Sequence, residues 1–533
     1  MEMPTRQVRS DGFSRSDRTP EGVTDNSCAV PTSSAPANHK RHSPRTVRFI
    51  LWGIILLALV TRLPGLTPLL NDHDSWRQTD TASIAHNFLD KPNIFYPRVF
   101  WGAPGPGYVE AEFQLYPYAV SWLYRLFGEN PLYGRLLSIF LNCISCIVFF
   151  HIARRFLKDL PALLAVALYA FSPAIYLYSR AFMPESTALL FYLLALKLYL
   201  DFLDRDSWAA PLWSAVFLSL AILVKPTTIH IGLAFMILTV GKRGWRSLFG
   251  PKLLAFAAIA LLPSIAYYTH AVMLHLHYGN TFGVISGGDP KWGNLALWSR
   301  PKFYAKLLYI DEQYILGIAG SLLLILGFFA YRRAGWRQLL WPWALSIALY
   351  YFIAGRYTSV PGRGLQYHIY AAPCYALAAS GGVVWLLQSR DRRLRILCGA
   401  LLILAFAQQA AQSYILCRER YTSMLSAGLK LAELSNPDDY ILVQSRDVSV
   451  DKGVPNNYQQ PDVFFYAKRW GRSLARDQQT QAGLLSALAF KPKWYVSFPD
   501  AEEDAAPGFR EEIDRRMTLA AQGEEFAIYR VHS

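Results

Sequence analysis

Charged residues are scarce in this sequence. Asp, Glu, Lys and Arg make up 17% of its 533 residues, whereas an ordinary soluble domain carries about 25%. Hydrophobic residues reach 53% and aromatic residues 14%, and apolar runs long enough to cross a bilayer recur between residues 48 and 416. A plain soluble enzyme is therefore excluded, and the sequence predicts a polytopic α-helical membrane protein.

Cysteine is also scarce, and its 6 copies are too few for a disulfide scaffold. Cys143 and Cys146 form a CxxC pair, but they lie inside the apolar run Leu141–Phe150, which is typical of small apolar side chains in a helix. The 53 basic residues exceed the 38 acidic ones, yet they form short clusters between apolar runs. That distribution indicates membrane orientation and argues against a nucleic-acid partner.

About eleven apolar segments are predicted to span the membrane. They cover residues 48–64, 133–151, 160–178, 184–203, 208–224, 227–241, 253–274, 312–331, 339–355, 366–388 and 396–416. With the N-terminus inside, the inner loops are about fourfold denser in Lys and Arg than the outer loops. The sequence therefore predicts a multi-pass protein of the inner (plasma) membrane with a cytosolic N-terminus and an extracytoplasmic C-terminus.

The segments outside the spans differ in character. Residues 1–45 are polar and rich in Ser, Thr and Pro, which predicts a disordered cytosolic tail before a transmembrane module over 46–416. Residues 417–533 are predicted to form a small extracytoplasmic α/β domain. Its strand-like runs are Tyr440–Gln444, Val463–Ala467, Trp494–Phe498 and Glu525–Val531, with helical patterns at 421–434, 479–489 and 510–519. The aromatic segment Glu112–Gly128 is predicted to lie as a helix in the outer membrane interface.

The first outer loop, residues 65–130, carries the most chemistry. Asp72, Asp74 and Asp80 fall within nine residues, directly after the first span. A carboxylate near apolar surroundings has a raised pKa and can act as a general base near neutrality. A solvated loop with helix-capping acids explains the same composition equally well, so both interpretations stay open at this point.

Further polar residues are predicted to face the same side, at the outer ends of later spans. They are Arg180, Glu185, Lys225, Arg356, Arg363, Tyr367, His368 and Tyr370. Ionisable residues at such depth are costly and are usually functional. Each of them taken alone is also explained by a long side chain whose polar end extends to the membrane interface. The cations suit a phosphate group, and the acids suit proton abstraction from a hydroxyl.

This layout resembles the membrane-embedded glycosyltransferases that have the GT-C fold and use polyprenyl-phosphate sugars. The pattern is most similar to the family of protein O-mannosyltransferases and lipid A aminoarabinose transferases. The features that carry the resemblance over roughly residues 48–420 are the motif Asp72-His73-Asp74-Ser75-Trp76-Arg77-Gln78, Glu112 before an aromatic helix with Arg135 beyond it, Ser179-Arg180 followed by Glu185, and His368-Ile369-Tyr370-Ala371-Ala372-Pro373.

The resemblance implies inverting transfer of a sugar to a lipid, glycan or protein acceptor on the outer face. It assigns Asp74 as catalytic base with Asp72 as second choice, and it places Glu185 and Glu112 at the family's other acidic positions. The sequence departs from the family pattern at two places. An Asp-His-Asp motif replaces an acidic pair, and Phe113 stands where a phosphate-binding lysine is expected. The cations that would replace that lysine are Arg77, Arg98, Arg180, Lys225 and Arg363, and His368 and Tyr370 are further candidates for substrate binding.

Two other functions compete with an enzyme. A transporter or flippase could bind the same lipid-linked sugar without chemistry, but ionisable residues are scarce in mid-span. A scaffold subunit would not need the dense acidic loop.

No metal ligand is assigned, although some GT-C members coordinate a divalent ion through acids. His270, His275 and His277 could form a zinc site, but interfacial histidines are the simpler interpretation.

Overall fold

A computed structural model describes residues 43–532 except 206, 289, 333–334, 361–363, 421, 452–453 and 499–505. Of the predicted tail, residues 1–42 lie outside the described residues. The helices are α1 (Pro44–Arg62), α2 (Ser75–Asp90), α3 (Leu115–Phe127), α4 (Leu132–Ala153), α5 (Asp159–Ala170), α6 (Pro173–Tyr178), α7 (Glu185–Asp204), α8 (Ala209–Val224), α9 (Ile231–Arg243), α10 (Pro251–Tyr278), α11 (Leu295–Trp298), α12 (Pro301–Asp311), α13 (Gly317–Phe329), α14 (Trp336–Ile353), α15 (Gly355–Thr358), α16 (Ala371–Leu387), α17 (Arg392–Leu416), α18 (Ser423–Leu434), α19 (Pro461–Ala467), α20 (Gln481–Leu488) and α21 (Phe509–Arg516). The strands are β1 (Ile441–Gln444), β2 (Val450–Asp451), β3 (Val454–Pro455), β4 (Gly471–Leu474), β5 (Trp494–Ser497), β6 (Met517–Gln522) and β7 (Ala527–Val531).

Each predicted span contains a helix, but the helices differ in length. Among the described residues, six helical runs are long and apolar enough to cross a membrane: Pro44–Arg62, Leu132–Ala153, Glu185–Asp204, Pro251–Tyr278, Pro301–Phe329 and Arg392–Leu416. Shorter apolar helices cover Asp159–Ala170, Ala209–Val224 and Ala371–Leu387. The polytopic helical class is confirmed, while the number of eleven spans stays a prediction.

Helix boundaries follow local signals in the sequence. Ser43 caps α1, since its Oγ accepts the Thr46 N–H at 3.2 Å, and Pro44 occupies the first helical position. The predicted span 160–178 is broken into α5 and α6 before Pro173, because the residue preceding a proline disfavours helical backbone. The predicted interfacial segment is helical as α3, and its position at the membrane surface stays a prediction.

The C-terminal domain contains a five-stranded sheet in the order β4-β1-β5-β7-β6. Strands β4, β1 and β5 are parallel, and β7 pairs antiparallel with β5 and β6. The strand prediction for Val463–Ala467 is wrong, since this run lies in α19. Pro461 starts that helix, where its preset φ favours helical backbone and its missing N–H has no cost.

Two strands of the five-stranded sheet, β4 and β6, were not predicted from the sequence, and neither was the short β2-β3 pair. Strand β4 has little β-branched character, and its first residue is Gly471, where an added Cβ would lie 1.9 Å from the Ile441 carbonyl oxygen. This close parallel pairing therefore requires glycine. The predicted helix over 510–519 ends at Arg516, and β6 begins with the next residue.

One face of this sheet shares a hydrophobic core with the first outer loop. Ile441 and Val443 of β1 belong to the same buried cluster as Ala82, Phe88 and Trp101. The opposite face of the sheet packs beneath α20 and α21. Because successive side chains of a strand point to opposite faces, both faces of β1 are buried, one of them towards the membrane module.

Candidate active site

Asp74 stands at the start of α2 in a left-handed backbone conformation, with φ of 59°. Such a conformation is unfavourable for residues with a side chain, although Asp tolerates it better than most. Its Oδ2 accepts the Tyr178 hydroxyl at 2.7 Å and lies 3.1 Å from Nδ1 of His73. The carboxylate is thus fixed in direction, and 14% of its side chain remains exposed.

The pKa of Asp74 differs from the expectation for a first-loop base. Burial by itself raises this pKa, but interactions with His73, the Tyr178 hydroxyl and the Lys225 ammonium outweigh burial and hold it below the usual value. Asp74 is therefore ionised at neutral pH. The expected upward shift is wrong for Asp74, because the surrounding donors favour its charged form.

A chain of alternating charges lies beside this carboxylate. Glu112 Oε2 is 2.5 Å from Nη2 of Arg77, and its Oε1 is 3.0 Å from Nζ of Lys225. The same Nζ lies 2.9 Å from Oε1 of Glu185. The four residues come from α2, the segment before α3, the position just after α8 and the start of α7, so tertiary folding brings together side chains that are far apart in sequence.

Electrostatics favours the charged forms of Glu112 and Arg77. Burial raises the pKa of Glu112, but the charges of Arg77 and Lys225 overcome that effect and lower it to about 2. Burial likewise opposes the charge of Arg77, yet the neighbouring carboxylates raise its pKa. Two cations balance two carboxylates, which is how buried charges are usually accommodated.

Several predicted site residues lie elsewhere. Asp72 is buried and accepts Arg135 Nη2 on Oδ1 at 3.2 Å, so its contacts are those of a structural ion pair. Arg98 donates to the Pro106 carbonyl at 2.8 Å, and its guanidinium lies 4.7 Å from the centre of the Trp470 ring. Both residues hold the first outer loop together.

The remaining predicted site residues that the structure describes also have their main contacts outside the charged network. Arg180 donates from Nη2 to the Gly65 carbonyl at 2.9 Å. His368 lies 2.6 Å from Asp311 Oδ1 through Nδ1, in a separate polar cluster. Tyr370 packs its ring near those of Tyr192 and His230, with centroid distances of 5.4 and 5.8 Å. Arg363 lies outside the described residues.

Two contacts of the site were not anticipated from sequence. Tyr178 donates to Asp74 and also lies 3.2 Å from Oε1 of Gln366. The ring of Phe282, in the segment between α10 and α11, lies 4.3 Å from the Arg77 guanidinium. The position of Tyr178 directly before the Ser179-Arg180 pair was the one available signal, whereas nothing in the sequence marks Phe282.

Proteins of known structure share this arrangement of helices. ArnT from Cupriavidus metallidurans, bound to undecaprenyl phosphate, superposes with a TM-score of 0.59 at 12% identity over 91% of this chain and 98% of that chain. The apo oligosaccharyltransferase of Archaeoglobus fulgidus gives 0.58 at 14% identity, over 86% and 70%. Arabinofuranosyltransferase AftD from mycobacteria gives 0.50 at 12%, over 93% and 42%. The chain has the GT-C fold.

A family model agrees with this GT-C assignment. The model described as dolichyl-phosphate-mannose-protein mannosyltransferase matches residues 114–268. The matched part contains Arg180, Glu185 and Lys225 but begins after Asp74 and Glu112. No curated protein matches the sequence. The resemblance to GT-C glycosyltransferases inferred from the motifs is confirmed.

The described part of this GT-C protein has no group of three or more His, Cys, Asp or Glu side chains placed to hold a metal ion. The three histidines of the suggested zinc site do not form such a group. His270 Nε2 lies 2.9 Å from the Phe95 carbonyl, and His275 Nδ1 lies 2.8 Å from the Ser286 hydroxyl.

Two further carboxyl groups are buried where α2 of the GT-C module meets α19. Asp80 accepts the Trp101 indole N–H at 2.8 Å, and Asp462 accepts the Thr79 hydroxyl at 3.1 Å. Burial raises the pKa of each to about 7. The raised carboxyl pKa expected for this loop therefore occurs at Asp80 and not at Asp74.

We expect Asp80→Asn to raise the melting temperature at pH 8 and to change it little at pH 4. The folded-state pKa of about 7 lies above the unfolded value of 3.8, so the folded protein binds more protons than the unfolded chain between these values. Its stability then falls as pH rises through that window, by on the order of 4 kcal/mol. The amide introduced by Asp80→Asn would retain an acceptor for Trp101 and remove this loss.

The measurement is a melting curve in detergent at both pH values. Asp90→Asn serves as the matched control, since the Asp90 side chain in the same helix is 73% exposed and its ion pair with Arg98, at 3.1 Å, lies at the surface, where such pairs contribute little to stability. An Asp80→Asn protein that melts like wild type at pH 8 would contradict the expectation.

Proposed function

We propose that this chain transfers a sugar from a polyprenyl-phosphate donor to a hydroxyl group of a lipid, glycan or protein acceptor. The reaction takes place at the extracytoplasmic face of the membrane, with the N-terminus in the cytosol. The observation that carries the proposal is the ionised Asp74 carboxylate, oriented by Tyr178 and adjacent to the network of Arg77, Glu112, Lys225 and Glu185. The GT-C fold supports it, since ArnT has been solved with undecaprenyl phosphate bound.

Asp74 serves as general base in this mechanism. The acceptor oxygen attacks the anomeric carbon from the face opposite the phosphate, and its proton passes to the Asp74 carboxylate. The bond between sugar and phosphate breaks with inversion, and the lipid phosphate leaves with the bonding electrons. Because the hydroxyl becomes acidic as the new bond forms, a carboxylate with an ordinary or lowered pKa can accept the proton in the transition state.

Arg77 and Lys225 bind the donor phosphate. Each keeps hydrogen-bond donors beyond those directed at Glu112 and Glu185, because a guanidinium has five N–H groups and an ammonium has three. The carboxylates fix these cations in place and balance their charge before the donor arrives. A phosphate then meets preorganised cations, which stabilise the charge that develops on the leaving group.

The decisive experiment uses purified wild-type protein and radiolabelled polyprenyl-phosphate hexoses and pentoses. We expect label to move from at least one donor to membrane-derived acceptors, with release of polyprenyl phosphate. The rival transporter function predicts that intact donor crosses the bilayer of a proteoliposome without cleavage. Donor translocation with no product from any donor would refute the proposed enzyme.

A further inference from the structure

We propose that the C-terminal domain positions the catalytic aspartate, and that Tyr466 and Asp462 of α19 are the positioning residues. This inference rests on the proposed function, since it assigns Asp74 to the chemical step. It gives residues 417–533 a role in building the site, distinct from acceptor selection.

The domain holds the backbone immediately before Asp74. The Leu70 N–H donates to the Tyr466 hydroxyl oxygen at 2.9 Å, and Leu70 is fully buried. The Asn71 carbonyl accepts the Arg420 N–H at 2.8 Å. Two consecutive residues, four and three positions before the aspartate, are therefore tied to a segment that follows the last apolar helix.

The domain also holds the helix immediately after Asp74. The Thr79 hydroxyl donates to Asp462 Oδ1 at 3.1 Å, and the Asp462 side chain is buried. Thr79 lies in the second turn of α2, which begins at Ser75. The C-terminal domain thus fixes the segment that carries Asp74 on both sides, through Tyr466 and Arg420 before it and through Asp462 after it.

Fixing both flanks has a physical purpose here. Asp74 adopts a left-handed backbone conformation, and such strained positions persist only when the surrounding structure determines them. A general base must also lie within hydrogen-bond reach of the proton that it removes. An error of about 1 Å in that position can reduce the rate by about a hundredfold.

Other contacts make the first outer loop and the C-terminal domain one packed unit. The Ala103 N–H donates to the Gly471 carbonyl at 3.0 Å, and Lys468 Nζ lies 2.8 Å from Glu129 Oε2. One face of the sheet is buried in the core shared with this loop. That face is occupied by the catalytic loop itself, so it is not free to bind an acceptor.

The test compares full-length Tyr466→Phe, Asp462→Ala and Asp462→Asn. Tyr466→Phe removes the acceptor for the Leu70 N–H, and Asp462→Ala removes the acceptor for Thr79, whereas Asp462→Asn retains a carbonyl oxygen that accepts the same hydroxyl. We expect kcat to fall about tenfold in the first two variants. The KM values for donor and acceptor should stay within about twofold, and Asp462→Asn should restore kcat.

Tyr440→Phe is the matched control, because Tyr440 lies in the same domain and is 44% exposed. A second readout is hydrogen exchange of the amides in residues 66–79. We expect faster exchange there in Tyr466→Phe and Asp462→Ala, and wild-type exchange in Tyr440→Phe.

The two readouts separate the inference from the proposed function. Unchanged exchange in residues 66–79, or wild-type kcat in both disruptive variants, would overturn the positioning role. A rise in the KM for acceptor alone would assign the domain to acceptor selection and would also overturn it. If wild type transfers no sugar, the proposed function fails, while the exchange data still decide whether the domain holds this segment.

Discussion

Asp74→Asn is expected to abolish sugar transfer, lowering kcat by about a thousandfold or more, while donor affinity stays within a few fold. The amide of Asn keeps the size of the carboxylate and an acceptor for the Tyr178 hydroxyl, but it cannot take a proton from the acceptor. Hydrogen-bond donors and positive charge around Asp74 lower its pKa. Protonation of Asp74 should therefore not reduce wild-type activity between about pH 8 and pH 5.

Transfer of radiolabel and binding of polyprenyl phosphate are the two measurements for this variant. Asp90→Asn is the matched control, since it changes an exposed aspartate of the same loop. Wild-type kcat in Asp74→Asn would remove Asp74 from the chemical step. Loss of donor binding together with loss of transfer would place Asp74 in binding instead.

Lys225→Gln is expected to weaken donor binding by about a hundredfold, and to lower stability as well. Lys225 contacts both Glu112 at 3.0 Å and Glu185 at 2.9 Å. Its loss leaves two buried carboxylates with Arg77 as the remaining cation of the network. Breaking a buried ion pair from one side costs roughly 3–5 kcal/mol, because an uncompensated charge stays behind.

A double variant, Lys225→Gln with Glu185→Gln, separates these two effects. It removes one charge of each sign, so the melting temperature should recover most of its loss while affinity for polyprenyl phosphate stays low. Affinity would be measured by titration with polyprenyl phosphate, and stability by a melting curve in detergent. Recovery of affinity in the double variant would show that Lys225 acts through charge balance and does not bind the phosphate.

The sequence and the tertiary structure each decided a different part of the site. Long apolar runs and their flanking charges predicted the helical membrane class, because a bilayer imposes length and polarity on any segment that crosses it. The motif around Asp72 and Asp74 pointed to two candidate bases, but nothing local distinguishes them. Their roles diverge in the fold, where Arg135 pairs with Asp72 and Tyr178 orients Asp74.

The same division holds for the cations. Five of them were candidates for the phosphate, and among those that the structure describes, Arg77 and Lys225 join the acidic network. Arg98 and Arg180 instead bind backbone carbonyls. No spacing rule separates these outcomes, because each depends on which distant segment lies opposite the side chain.

Local sequence patterns also gave a wrong prediction where one run of residues is compatible with both a strand and a helix. Val463–Ala467 is apolar and aromatic enough for a strand, but it forms a helix after Pro461 and brings Asp462 against α2. Composition, hydrophobic runs and motif order therefore determined the class, the helical segments and the choice of acidic loop. The pKa of each carboxyl, the partners of each cation and the place of the C-terminal domain were decided only by tertiary structure, since burial and charge pairing arise between segments that are remote in the chain.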